Sequence, residues 1–153
     1  MFGWGKLLQI VFDDLPQFFI DEIIKIAQKQ NEEDIDFTSS LLRSLTCLTD
    51  CPDIEKLKSI CKAVISNPSY EEEKFYPELS ITITSTGVVS GKYGFAEARE
   101  KRVAEMKDWE NDSNDKVREF YKKFSESELE TARRERIRVD EQEELRKYEF
   151  ENS

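Results

Sequence analysis

The side chains in this chain with the capacity for chemistry are three cysteines, a lysine set between glycines, several paired carboxylates and one arginine cluster. Histidine is absent, which removes the commonest general base, the commonest metal ligand and the usual partner of a serine or cysteine nucleophile. Triad hydrolysis is excluded on that ground. Cys47 and Cys51 stand four apart and Cys61 ten further on; this is no zinc spacing, and no fourth soft ligand accompanies it. The cysteines read as structural. The run Gly87-Val88-Val89-Ser90-Gly91-Lys92-Tyr93 approaches a phosphate-binding loop, but such a loop needs four residues between its glycines and Ser or Thr after the lysine. Here three residues intervene and a tyrosine follows, so the run reads as a connector. Asp13-Asp14, Glu32-Glu33 and Glu71-Glu72-Glu73 fall in turns and connectors, whereas glycoside hydrolysis or a two-metal site needs carboxylates that converge in a pocket. The expectation is no catalysis, no cofactor and no metal.

The arginine cluster, Arg133, Arg134, Arg136 and Arg138, is interleaved with Glu128, Glu130, Glu135, Asp140, Glu141, Glu143 and Glu144. On a helix these arginines wrap around the surface, and ion pairs worth a few tenths of a kcal/mol each are the ordinary outcome. A partner-contacting arm is the functional alternative, which makes Arg133, Arg134 and Arg136 candidates for an interaction surface.

The elements that must position these residues are helical by pattern. Trp4 to Phe12 sets Leu7, Leu8, Val11 and Phe12 at helical spacing before Pro16. From Leu15, Phe18, Phe19, Ile23, Ile26 and Ala27 recur at three- and four-residue steps, giving a helix that ends near Gln30. The stretch from Asn31 to Asp36 reads as an acidic connector, and Leu41, Leu42, Leu45 and Leu48 mark a third helix, capped by Thr38 or Asp36. A fourth begins near Asp53, carries Ile54, Leu57, Ile60, Cys61, Val64 and Ile65 on one side and stops at Asn67-Pro68. Ser80 to Thr84 alternates and is β-branched, the local signature of a strand; a lone strand lacks a partner, so a short helix from Pro77 or an irregular segment competes with it. Phe95, Ala98, Arg99, Arg102, Val103, Met106 and Trp109 define a further helix. The last starts near Asp115, packs through Val117, Phe120, Tyr121 and Phe124 and continues as a charged segment. The chain therefore divides into two helical hairpins over 1–68, an irregular connector with a glycine-containing loop over 69–94, and a terminal helical pair over 95–153.

The run from Trp109 to Phe124, WENDSNDKVREFYKKF, resembles the turn and second helix of a HEAT-type repeat: an acidic turn, a Val-Arg pair and apolar residues at helical spacing. Asp112, Asp115, Val117, Arg118, Tyr121 and Phe124 match that pattern, with Asp115 able to cap the helix and Arg118 able to reach the acidic turn. The starts near Leu15 and Asp53 are separated by close to the roughly 40-residue period of helical-pair repeats. The resemblance implies an all-α fold of antiparallel helical pairs stacked as a short HEAT-like α-solenoid, ending in a long charged helix. It also implies the C-terminal part of a longer bacterial repeat protein, with tyrosine and phenylalanine replacing the small residues common in such cores.

Charge and composition bound the partners. The 153 residues carry a net charge of −10, with 38% hydrophobic and 37% charged residues, a field that repels the phosphate backbone and leaves nucleic acid outside the expected partners. No apolar run approaches the roughly 18 to 20 residues that span a bilayer. An odd number of cysteines without a secretory leader points to a reducing, cytoplasmic setting. The expected function is a non-catalytic scaffold or protein-interaction module, contacting a protein partner or upstream repeats of the same polypeptide. Phe2, Trp4 and Leu8 form the candidate contact face at the N-terminal end, where an unfinished stack exposes apolar surface. The alternative is a small, acidic, free-standing inhibitor or immunity-type protein that binds a basic toxin or nuclease.

Overall fold

The computed structural model describes residues 16–29, 31, 33, 35–38, 40, 53–84 and 89–153, and every regular element among them is helical. The Trp4–Phe12 and Leu41–Leu48 segments, and with them Phe2, Trp4, Leu8, Cys47 and Cys51, lie outside the described residues. Helix α1 (Gln17–Ala27) follows Pro16, whose carbonyl accepts the amides of Phe19 and Ile20, and it buries Ile20, Ile23 and Ala27. Helix α2 (Ile54–Ser66) opens on Asp53, whose carboxylate accepts the Glu55 amide at 3.0 Å. That bond satisfies one of the orphan donors of the first turn. α2 buries Leu57, Ile60, Cys61, Val64 and Ile65, the face its sequence periodicity predicts.

Two stretches differ from expectation. Glu33, Ile35–Thr38 and Ser40 are helical, and Ile35 and Thr38 are fully buried, so the acidic Asn31–Asp36 segment is more than a connector. The stretch 69–94 is not irregular throughout: Glu72–Thr84 forms helix α3 with Pro77 inside it. Phe75, Leu79, Thr82 and Ile83 are buried at i, i+4, i+7 and i+8, and that tertiary burial outweighs the β-branched alternation of residues 80–84. The threonine hydroxyls turn back onto the helix, Thr82 donating to the Glu78 carbonyl at 2.9 Å and Thr84 to that of Ser80 at 2.8 Å.

Helix α4 (Gly94–Glu105) stops short of Trp109. A 3-10 turn (Lys107–Asn111) follows, and Met106 and Trp109 are buried through this tighter geometry. Helix α5 (Asp115–Glu151) is 37 residues long, nearly a whole repeat period of about 40 residues in one helix. Its cap is Asn114, whose side chain accepts the Lys116 amide, and not Asp115, which sits in the first turn. Along the α4–α5 pair, Tyr93 meets Asp140, Arg99 meets Glu128 and the Val103 carbonyl accepts the Tyr121 hydroxyl; one number falls as the other rises, so the two helices are antiparallel.

One buried cluster runs from Ile20 to Phe124 and joins all three parts of the chain. At its centre Phe120 packs edge-on to Trp109 (5.9 Å between centroids), against Tyr76 (5.2 Å) and over Phe124 (6.0 Å). Each such side chain contributes roughly 1.5–3 kcal/mol by burial. Helix α2 packs on α1 and α5, and α3 touches α2, α4 and α5.

Polar staples tie these helices end to end. Asn67, the last-turn cap of α2, donates to the carbonyls of Ala27 (2.7 Å) and Lys29 at the end of α1, while its own Oδ1 accepts the Ser69 amide at 2.8 Å. The C-terminal ends of α1 and α2 therefore meet, and the two helices run in the same general sense. Lys58 occupies a slot on the buried face of α2 and donates to the Glu105 carbonyl (2.9 Å) and to Asp108 (2.6 Å), closing the C-terminal end of α4. Lys62 pairs with Asp112 in the acidic turn before α5.

Candidate interaction face

The residues of the repeat-like run take two roles. Val117, Tyr121 and Phe124 are core, at 0%, 4% and 0% exposure. Arg118 reaches the acidic turn as the pattern implies, donating to the Asp112 carbonyl and pairing with Asp115. The Lys62 ammonium beside Asp112 holds that carboxyl below its ordinary range. This turn joins α2 to α5.

The arginine cluster is divided by the helix. Arg133 forks onto Glu130 through Nε (3.0 Å) and a terminal nitrogen (3.1 Å), Arg134 reaches the same carboxylate at 2.9 Å, and both arginines are exposed. Their hydrogen bonds depress the Glu130 pKa, Arg133 contributing most. Arg136 turns the other way: it binds Glu100 bidentately (3.0 and 2.7 Å) and lies over the Tyr93 ring at 4.8 Å. The three arginines therefore do not form one surface.

A clasp that the sequence did not single out fixes the middle of α5. Gly91 adopts φ +92°, a conformation costly for any residue with a Cβ, and so turns Lys92 and Tyr93 onto α5. The Tyr93 hydroxyl donates to Asp140 at 2.6 Å, and Lys92 bridges Asp140 (2.9 Å) and Glu143 (2.6 Å) while its ammonium lies over the Tyr93 ring. The Tyr93 hydrogen bond, then Lys92, lowers the Asp140 pKa, and Glu143 chiefly raises that of Lys92. The lysine of the phosphate-loop-like run thus faces two carboxylates of its own chain.

Beyond Glu143 the helix continues for two further turns. There, and nearly two turns before Glu143, large apolar side chains face solvent: Ile137 at 49% exposure, Leu145 at 57%, Tyr148 at 66% and Phe150 at 84%. Successive residues advance by about 100° around a helix, which places Ile137, Leu145 and Tyr148 within about a quarter of its circumference; Ile137 and Tyr148 lie opposite the face that buries Val117, Phe124 and Ala132, and Leu145 lies at the margin of that face. Isolated exposed apolar residues are ordinary, whereas large contiguous apolar patches mark contact surfaces.

Of the cysteines, Cys61 lies among the described residues and is enclosed. Cys61 is a free thiol, and burial pushes its pKa from 9.0 up to about 12. Among the described residues no three His, Cys, Asp or Glu side chains converge as a metal site requires, and no helix is long and apolar enough to cross a membrane. Comparison of the chain with protein-family models, with curated proteins and with solved structures finds no match.

Proposed function

We propose that the chain is a non-catalytic protein-interaction module of stacked-helix, HEAT-like type, forming the terminal part of a larger assembly in the cytoplasm. The observation that carries this reading is α5: a helix clasped along its middle and running on past its last packing element, with Leu145, Tyr148 and Phe150 presented to solvent. A rigid helix whose apolar side chains are ordered before contact loses little conformational entropy on binding. Support for the stacked-helix type comes from α1 and α2, which run in the same sense with their starts at Gln17 and Ile54, a little under the roughly 40-residue repeat period apart. Candidate partners are another protein or upstream repeats of the same polypeptide. The second reading, an acidic free-standing inhibitor of a basic protein, is favoured by the net charge of −10. The test is a photo-crosslinking residue placed at Tyr148 and, as control, at Lys122, with irradiation in living cells. The module reading expects an adduct to a second polypeptide at position 148 and none at 122. Absence of any adduct at 148 overturns it. An adduct whose partner dissociates from the parent chain at modest salt favours the inhibitor reading, because exposed charge contacts are screened within about 10 Å at 0.1 M.

A further inference from the structure

From Glu128 onward the carboxylates of α5 fall into two groups. Glu128, Glu130, Glu135, Asp140 and Glu143 each pair with a lysine or arginine. Glu141, Glu144, Glu149 and Glu151 are exposed, and among the described residues none of them lies within ion-pair distance of a cation. At about 100° per residue, these four share one half of the helix circumference with Leu145 and Tyr148, while Arg146 and Lys147 project from the other half. An exposed apolar pair is therefore rimmed by uncompensated negative charge.

Two of these carboxylates also oppose the helix end. The last turn of α5 holds Glu149 and Glu151 and no basic residue. Helix C-termini carry a partial negative charge and are stabilised by cations, so two carboxylates there oppose the helix by a few tenths of a kcal/mol each. Local conflicts of this kind concentrate at functional sites, and a cation brought to this turn would relieve this one.

We infer that residues 141–151 of α5 dock a basic amphipathic segment of a partner protein: a helix whose apolar stripe covers Leu145 and Tyr148 and whose lysines or arginines flank that stripe. The inference rests on the interaction-module reading and specifies the chemistry of the partner. Apolar contact supplies the attraction at short range, and the four carboxylates with the helix terminus supply orientation and association rate.

The experiment titrates the full chain with a fluorescent amphipathic helical peptide of leucine and lysine, beside a glutamate-for-lysine peptide with the same leucine stripe. Expected is saturable binding of the lysine peptide alone. Binding should weaken at least tenfold in Glu144→Lys/Glu149→Lys and, separately, in Leu145→Ser/Tyr148→Ser, and remain unchanged in Glu126→Lys, an exposed reversal elsewhere on α5. Circular dichroism of each variant excludes unfolding as the cause. Equal loss in Glu126→Lys and Glu144→Lys/Glu149→Lys means a diffuse acidic field and overturns the inference. So does undiminished binding in Leu145→Ser/Tyr148→Ser, or concentration-dependent self-association of the parent that those two substitutions abolish, which makes the occupant a second copy. If the peptide fails while crosslinking at Tyr148 still captures a protein, the stated partner chemistry is wrong and the module reading survives.

Discussion

The Asn67 side chain makes three hydrogen bonds from a site 2% exposed, and two of them end on carbonyls about forty residues earlier in the chain. Removing its amide leaves those carbonyls without donors in a buried place, which costs about 2–3 kcal/mol. Asn67→Ala is therefore expected to lower the melting temperature by about 5–10 °C for a chain of this length, measured by thermal circular dichroism. Tyr70 presents the opposite case: its hydroxyl is buried without a hydrogen-bond partner among the described residues, and burial drives its pKa upward. Tyr70→Phe removes that penalty and keeps the stacking on Phe75 at 5.9 Å, so it should raise the melting temperature by about 2–4 °C for roughly 1 kcal/mol; a decrease would show that the hydroxyl is satisfied. Cys61 gives the pH dependence its sign. The unfolded thiol ionises near 9.0, whereas the native one stays protonated to about 12, so between these values the native state binds more protons and stability falls as pH rises. The slope reaches about 1.4 kcal/mol per pH unit, and Tyr70 adds to it in the same direction. Melting at pH 8 and pH 10.5 should therefore show a loss in the parent that is shallower in Cys61→Ala.

At the scale of elements, α5 divides into a part buried against the core, a part held by the Lys92–Tyr93 clasp, and an end that projects. Hydrogen exchange should follow that division: slow for amides from 117 to 132, intermediate to about 143, and fastest from 145 to 151. Tyr93→Ala should speed exchange in the middle part only. Uniform protection along the helix would contradict the division. Where local chemistry and burial agree, the sequence reveals the element: Asp53 ahead of the Ile54, Leu57, Ile60, Cys61, Val64 and Ile65 pattern gives α2 both its start and its buried face. α3 was illegible because its propensity and its burial conflict, with Pro77 and a β-branched run in a helix whose core face shows only when Phe75 and Leu79 are counted with Thr82 and Ile83. Lys58 left a trace, as a charged residue in a core-face slot of α2. The Asn67 staple and the clasp left none, since each joins residues roughly forty or more apart. Of the candidate contact residues, the arginines were visible as a cluster but not as divided between two faces, and Leu145 and Tyr148 stood out only once the helix was seen to outrun its partners.

For the whole molecule, the expected open N-terminal end makes a separate prediction. If Phe2, Trp4 and Leu8 form a stacking face, sedimentation equilibrium should show the parent self-associating and Trp4→Ser/Leu8→Ser a folded monomer. A monomeric parent with an unfolded variant would place those residues in the core and favour the free-standing inhibitor. Such measurements must be chosen with the length of α5 in mind. At 1.5 Å per residue, its 37 residues extend about 55 Å, against a radius of gyration of about 15 Å for a compact chain of 153 residues. A body with so long an axis tumbles anisotropically and meets more friction than a sphere of equal mass. The monomer should consequently elute early from a size-exclusion column, at the position of a larger globular protein, and elution volume alone would report a dimer where light scattering reports one chain.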